Sequence, residues 1–284
     1  MVKDYIIKSF DFLSDEAFVK IAFFIKNFTW LDLSNPRTFP EKINYIKVNK
    51  HQEALRRLVS DRISVRRYVE KKTNDCRLIS VLWSGITFDE KTWEELPKKF
   101  VIKATHGSKM VKVVDKEKVC FEDIEKEVNA WKYVDYANKS REWYYSSIEK
   151  KIIVEEFIET DDGCVPPDYK FFCINGKVCL IQVDIERFIN HERNFYTADF
   201  ELMPITLNYN RSDKCIEKPS SLEKAIDVAE GLSVDFDFIR VDLYLVGENV
   251  YFGEMTNIPD SGLAQFTPKQ FNYSLGEKLN IRGE

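Results

Sequence analysis

The sequence lacks the short signatures that most often mark a nucleotide or redox site. It contains no C-x-x-C pair, no G-x-x-x-x-G-K-[S/T] stretch and no G-x-G-x-x-G. The last two absences exclude a P-loop and a dinucleotide-binding fingerprint. The six cysteines, Cys76, Cys120, Cys164, Cys173, Cys179 and Cys215, are scattered, as in a reduced, cytoplasmic protein. No Ser/His/Asp or Cys/His triad is evident. There is no internal repeat, low-complexity tract or flexible linker. Long apolar runs are missing too: the early stretch AFVKIAFFIKNF is broken by Lys20 and Lys26, so it reads as a packed amphipathic helix, neither signal peptide nor membrane span. No segment is strongly basic and the net charge is −5, which argues against nucleic acid as a partner while leaving room for a local cationic cleft.

What is present is enough apolar residue for a large core. Hydrophobic residues make up 44% of 284, and the 21 phenylalanines point to aromatic packing. Residues 1–75 read as helical, with Ser14 capping a helix that begins at Asp15, a Pro-marked turn at NPRTFPEKI, and apolar residues at helical spacing through HQEALRRLVSDRISVRRYVEKK. LISVLWSGITF is β-like and DEKTWEELPKK a short helical link. From Phe100 the pattern changes. FVIKATHGSKMVKVVD reads as strand, small polar loop, strand; FEDIEKEVNAWKYVDYANKS as one helix; KIIVEEFIE as a strand. DYKFFCINGKVCLIQVD is a hairpin turning at Asn175-Gly176, and FIRVDLYLVGENVYFGEMT is a second hairpin. SLEKAIDVAEGLS and PKQFNYSLGEKLN read as helices. The order predicts an α+β protein, with antiparallel-rich sheets, flanking helices and a helical N-terminal region.

The second hairpin carries chemistry. Alternation along a strand puts Arg240, Asp242 and Tyr244 on one face, and Phe252, Glu254 and Thr256 on one face. A three-residue loop, Gly247-Glu248-Asn249, pairs Val246 with Val250 and sets Asp242 opposite Glu254. Two like charges so placed destabilise a sheet unless a cation neutralises them. A divalent ion bound by one or two carboxylates plus phosphate oxygens fits that need, with Arg240 as a second positive group. A two-residue turn or a bulge would separate the carboxylates onto opposite faces, and a solvated face with an Arg–Asp pair explains the strands equally well.

Lys103 ends an apolar strand just before Thr105-His106-Gly107-Ser108, a loop whose backbone N–H groups could approach phosphates; an ordinary hairpin with an edge lysine is the competing reading. IIVEEFIE runs into acids as an adenine hinge would, with backbone groups at Glu156 and Ile158 facing a base edge. PDYKFF puts Asp168 and Lys170 on one strand face, where they could meet a ribose or phosphate. Asp161-Asp162 in TDDG reads as a turn.

That order of features resembles the ATP-grasp superfamily, and its details resemble the TupA-like branch, associated with bacterial surface-polysaccharide and teichuronopeptide synthesis. The resemblance runs from NPRTFPEKI through DRISVRRYV, LPKKFVIKATHGS, IIVEEFIE, DYKFFCINGK, RNFY and FIRVDLY to YFGEMTNIPDSGLAQFTP. It implies a pre-ATP-grasp region over 1–95, a lid subdomain over 96–153 and a core subdomain over 154–284, with ATP held between two antiparallel sheets. Lys103 would bind phosphates, with His106, Gly107 and Ser108 in the loop above them. Glu155, Glu156, Phe157 and Ile158 would form the adenine hinge; Asp168 would face the ribose, with Lys170 beside it. Asp242 and Glu254 would hold Mg²⁺, Arg240 would stabilise the transferred phosphoryl group, and Arg193 in HERNFY would be a second phosphate contact. Many members carry a metal-binding Asn two residues after the glutamate. Here Thr256 stands there and Asn257 comes one later, so a bend is needed for Asn257 to reach the metal.

The activity implied is an ATP- and Mg²⁺-dependent carboxylate–amine ligase that joins an amino acid or amine to a uronic-acid glycan or its precursor. It would work in the cytoplasm, in peripheral association with envelope-synthesis machinery. A small-molecule or sugar kinase would use the same site, and a glycosyltransferase or glycan-binding protein is the other class. Asp61 and Arg66 serve either acceptor choice or helix-surface charge.

Overall fold

In a computed structural model, the described residues are 12–160, 166–185, 191–214 and 216–281. Asp161, Asp162, Cys164 and Cys215 lie outside them. The helical N-terminal region forms as expected: α1 (Asp15–Asn27), α2 (Phe39–Val48), α3 (Glu53–Ser60) and α4 (Ser64–Lys72). Ser14 caps α1 by accepting the Ala17 N–H at 3.3 Å. Thr38 caps α2 in a reciprocal box with Glu41, just ahead of Pro40. A cap of this kind stabilises a helix by about 1 kcal/mol. α1 buries Phe18, Val19 and Phe23 against Leu31 and Leu33, so it is a packed helix. Among the described residues no helix is long and apolar enough to cross a membrane.

Two sheets follow. The first has four strands in the order β2-β5-β3-β4, built from β2 (Val81–Gly85), β3 (Lys99–Ala104), β4 (Val111–Asp115) and β5 (Ile152–Glu156). The short helix α5 (Glu90–Glu95) links β2 to β3. β2 pairs with β5, so this sheet reaches back into the expected 1–95 region. Phe100, Ile102, Ala104 and Val154 bury one face against Phe88, Ile124, Val128 and Trp131; Lys103 and Glu155 stand on the other. The single helix expected over 121–140 is broken into α6 (Phe121–Ala130), a 3-10 turn at Trp131–Tyr133 and α7 (Tyr136–Ser140). The break falls where Asp135 stops one segment and caps the next by accepting the Asn138 N–H.

The second sheet has six strands in the order β1-β10-β9-β6-β7-β8. Its members are β1 (Arg77–Leu78), β6 (Asp168–Ile174), β7 (Lys177–Ile185), β8 (Glu192–Tyr196), β9 (Phe238–Val246) and β10 (Asn249–Thr256). All its pairings are antiparallel except β1 with β10. Asn175 and Gly176 both have positive φ, as a two-residue turn between right-twisted strands requires. One face is apolar throughout: Phe171, Val183, Val241 and Leu243 pack on α8 (Leu222–Ser233) through Ala225, Val228 and Leu232, and on α4 through Val65 and Val69. The other face is divided. At one end Phe172, Leu180, Phe195 and Phe238 pack against α2 and against α9 (Gln270–Lys278). At the other end the same strands present charge.

Candidate active site

The charged half-face is a row across five strands. Register pairs Asp184 with Arg193 and with Asp168, Lys170 with Gln182 and with Asp242, and Asp242 with Glu254. Asp242 stands opposite Glu254 as the sequence predicts, but by a different route. The β9–β10 loop has two residues, Gly247-Glu248, so Val246 pairs with Asn249, and a bulge between Phe252 and Glu254 then restores the register. The bulge also moves Phe252 off the Glu254 face; it lies in the apolar core with Val250 and Met255.

The row is ion-paired along its length. Arg240 donates to both carboxylate oxygens of Asp242, from Nε at 2.7 Å and Nη2 at 2.6 Å. The same Nη2 donates to Thr256 Oγ1 at 3.0 Å and lies 3.6 Å from Glu254. Lys170 Nζ contacts Asp168, with Asp242 at 3.4 Å and Asp184 at 3.8 Å. Asp184 also accepts from Arg193 Nε at 2.6 Å and Gln182 Nε2 at 3.1 Å, and His191 lies 3.2 Å away. Burial pushes the Asp242 carboxyl up to about 6, against the pull of Arg240 and Lys170. Burial acts on Glu254 in the same direction, but Arg62, Arg240, Lys170 and Lys103 outweigh it and hold Glu254 down at about 2. Asp184 is likewise held low by Arg193 and Lys170 despite its burial. Two carboxyls a strand apart are thus pushed in opposite directions.

The four-stranded sheet supplies the facing group. Lys103 Nζ contacts Glu155 at 2.5 Å, and Arg66 stands 3.5 Å from the same carboxylate. Arg62, in the turn between α3 and α4, spans the two sheets. Its Nη1 donates to the carbonyls of Ala104 (2.5 Å) and Gly107 (2.8 Å), and its Nη2 lies 3.5 Å from Glu254. Two small recesses lie elsewhere, one beside Lys47, Lys50, His51 and Trp143, the other beside Phe39, Phe172 and Gly262. Lys103 is near enough to Glu254 for its charge to help hold that carboxyl down.

Lys103, Lys170, Asp168, Arg240, Asp242 and Glu254 therefore converge, and Arg193 joins through Asp184. Three other residues do not face the cleft. Asn257 is turned away: its Oδ1 accepts from Arg56 Nη1 at 3.1 Å, and its Nδ2 donates to Arg56 O at 3.1 Å and Ser60 Oγ at 2.8 Å. No bend presents it to the carboxylates, and Thr256 takes the place beside Arg240. His106 is buried beside the four-stranded sheet, with Nε2 3.0 Å from Trp131 O; burial lowers its pKa. The backbone N–H of Glu156 is committed to Ser80 O at 3.0 Å, which removes it as a reader of a base edge. Its side chain is exposed, and Phe157 and Ile158 are half-buried beyond the strand end. Gly107 packs tightly: a Cβ there would lie 2.9 Å from Tyr136. Ser108 contacts Tyr136.

Sequence reasoning missed Arg62, Gln182 and Asp184. The turn at Asn175-Gly176 signals β7 clearly, but a bulge between Phe172 and Cys173 shifts its register, so Lys170 meets Gln182 where a regular ladder would bring Ile181. Asp184 thereby lands beside Asp168.

Among the described residues no three acidic, His or Cys side chains gather to hold a metal by themselves. Asp242 and Glu254 form a two-carboxylate donor set with a cation, Arg240, already between them. That composition fits Mg²⁺, which takes one or two carboxylates and completes its shell with phosphate oxygens and water.

Residues 41–280 match the family described as TupA-like ATPgrasp. No curated protein matches the chain in sequence. Among solved structures it is similar to a D-alanine–D-alanine ligase from Bacillus anthracis (13% identity, TM-score 0.47, covering 76% of this chain and 65% of that one). It is similar also to D-alanine–D-alanine ligase from Helicobacter pylori (18%, 0.44, 79% and 59%). A third is an N5-carboxyaminoimidazole ribonucleotide synthetase in complex with ADP (14%, 0.45, 71% and 45%). The chain spans less than two thirds of the length of each.

Proposed function

The chain belongs to the TupA-like ATP-grasp family, and from that premise we propose that it is an ATP-dependent carboxylate–amine ligase working through an acyl phosphate. The observation that carries this reading is the placement of Asp242 directly opposite Glu254 on a sheet face that Arg62 ties to the Lys103 loop. Acids paired that closely and ringed by Arg240, Lys170 and Arg62 suit a polyanion that arrives with its own cation.

Asp242 and Glu254 would hold Mg²⁺, whose chemistry there would be to neutralise charge on the phosphate oxygens. The chain's own groups do the rest. Lys103 leaves Glu155 for a phosphate oxygen. Arg240, held by Asp242 and Thr256, meets the negative charge that builds on the transferred phosphoryl group. Asp168 and Lys170 face the nucleotide's ribose and phosphate side, and Phe157 and Ile158, beyond the end of β5, edge its base. A substrate carboxylate oxygen attacks the terminal phosphorus, and the bond to ADP breaks. An amine then attacks the acyl carbon, losing a proton as phosphate departs with the carbonyl–oxygen bond. Neither step needs a protein nucleophile; alignment and charge neutralisation suffice. The proposed substrates are an amino acid or amine and a uronic-acid glycan or its precursor. The proposed setting is the cytoplasm, beside the envelope-synthesis machinery.

The test is ADP release from ATP and Mg²⁺ with candidate substrates supplied singly and together. Release that requires both a carboxylate and an amine, with no stable phosphorylated product, supports the ligase. A stable phosphate ester would make the protein a kinase. Stabilisation by a UDP-sugar with no response to ATP and Mg²⁺ would move it to sugar transfer or glycan binding.

A further inference from the structure

Arg62 belongs to neither sheet. It sits in the turn between α3 and α4, which Asp61 fixes by accepting the Ile63 N–H at 3.0 Å and the Ser64 hydroxyl at 2.6 Å. The preceding helix is anchored to both strands of the carboxylate hairpin. Buried Arg56 donates to Phe238 O at the start of β9 and to Asn257 just past β10, and Asn257 donates back to Arg56 O and Ser60. Arg62 is therefore held in place by the same frame that places Arg240, Asp242 and Glu254.

From there it reaches the loop after Lys103. The carbonyls of Ala104 and Gly107 both turn onto its Nη1. Those carbonyls are acceptors, as phosphate oxygens are, and left bare they would repel a triphosphate. Arg62 turns that acceptor surface into a donor surface. Among the described residues its Nη2 has only Glu254, at 3.5 Å, at the limit of a hydrogen bond. A charged donor on a rigid planar fork, one nitrogen satisfied and the other loosely engaged, is suited to a phosphate oxygen. The contact it would give up is the one that occupies Glu254.

We propose that Arg62 is a phosphate-binding residue supplied by the helical region, and that its ligand is the terminal phosphoryl group of a bound nucleoside triphosphate. Nη1 keeps the two loop carbonyls, while Nη2 passes from Glu254 to the phosphate and frees Glu254 for the metal. This rests on the ATP site proposed above and adds a group to it from outside the two sheets.

The experiment compares the affinities of Mg²⁺-ADP and the Mg²⁺ complex of a non-hydrolysable β,γ-imido ATP analogue, by calorimetry, in wild type, Arg62→Gln and Arg62→Lys. Arg57→Gln, at an exposed pair with Glu53, is the control. Glutamine keeps an amide donor for the loop carbonyls and lysine keeps the charge, so one of the two preserves the fold if the other does not. Loss of a hydrogen bond to a charged group weakens binding by roughly 10- to 100-fold. The expected result is a loss of that size for the ATP analogue in both Arg62 variants, with ADP affinity changed less than about threefold and the control unchanged. Equal losses for both nucleotides, no loss, or full restoration by lysine would overturn the assignment while leaving the ATP site standing. Failure of wild type to bind either nucleotide would overturn the ATP site, and the role of Arg62 with it.

Discussion

Gly253 lies against the backbone carbonyl of Asp242: a Cβ at position 253 would stand 2.8 Å from that oxygen and 3.3 Å from the Tyr244 ring. The contact is made by the bulge that brings Glu254 opposite Asp242. Gly253→Ala must therefore push the bulge open, and overpacking of this kind costs about 1–3 kcal/mol. For a chain of this size that lowers the melting temperature by several degrees, roughly 2–4 °C per kcal/mol. ATP turnover should fall further than stability does, because the register of the two carboxylates moves. An unchanged melting temperature and rate would show that the bulge does not set the site.

Amide substitution of Asp242 and Glu254 should cost activity more than stability. Both lose a metal-binding oxygen, so Asp242→Asn and Glu254→Gln each reduce ATP turnover by roughly 100-fold or more. Asp242 is buried with its carboxyl pushed up to about 6, so the uncharged amide, which resembles its protonated form, should not destabilise the fold near neutral pH. The Glu254 side chain is 43% exposed and its contacts with Arg62 and Arg240 are long, so its loss costs about 1 kcal/mol or less. Thermal unfolding of the two variants beside their ADP release measures both effects. Near-normal release from either purified variant would refute the metal assignment.

Asn257 should behave as a structural residue. Asn257→Ala removes one acceptor of the buried Arg56 guanidinium and the amide that donates to Arg56 O and Ser60 Oγ, a loss of about 1–3 kcal/mol. The Mg²⁺ concentration giving half-maximal activity should stay within about twofold of wild type, since the side chain faces α3. A tenfold rise in that concentration would place Asn257 in the metal's shell after all.

The sequence carries the helical start and both hairpins because these rest on local rules: Ser14 as a cap, Asn175-Gly176 as a turn, alternation along FIRVDLY. What it hides is register. The two-residue turn at Gly247-Glu248 and the bulge at Gly253 each shift β10 by one residue, and only their sum puts Glu254 opposite Asp242. The inference of opposed carboxylates from a three-residue loop reached the right pair through the wrong turn. Asp184 and Arg62 were hidden for a related reason. One is placed by a bulge and the other by packing between elements distant in the chain, and neither leaves a pattern along its own segment. Asn257 shows the converse: an amide near the expected spacing that tertiary packing assigns to Arg56.

The opposed shifts of the two carboxyls give a pH signature. With its value raised to about 6, Asp242 holds a proton in the folded chain across a range where the unfolded chain has released it, so its contribution to stability is full in acid and is lost as pH rises through 6. Glu254, held low, contributes in the other sense: its stabilisation, kept small by the exposure of its side chain, is present above about 4.5 and is lost as pH falls toward 2. The groups facing Asp242 are Arg240, Lys170 and Asp168. Carboxyl carbon NMR of aspartate-labelled protein should show one resonance, absent from Asp242→Asn, with a midpoint near 6, and metal affinity should weaken below that pH. Midpoints below about 4.5 for every aspartate would show that the bidentate pairing with Arg240 outweighs burial.

The most direct test of the central claim, that a triphosphate and its metal sit between Lys103 and the Asp242–Glu254 pair, is calorimetric titration of ATP into the purified protein with and without Mg²⁺, repeated with Lys103→Ala. The account predicts one site per chain, binding that depends on Mg²⁺, and a loss of roughly tenfold or more on removing the lysine. Absence of binding at millimolar ATP and Mg²⁺, or binding indifferent to both the metal and Lys103, would contradict it.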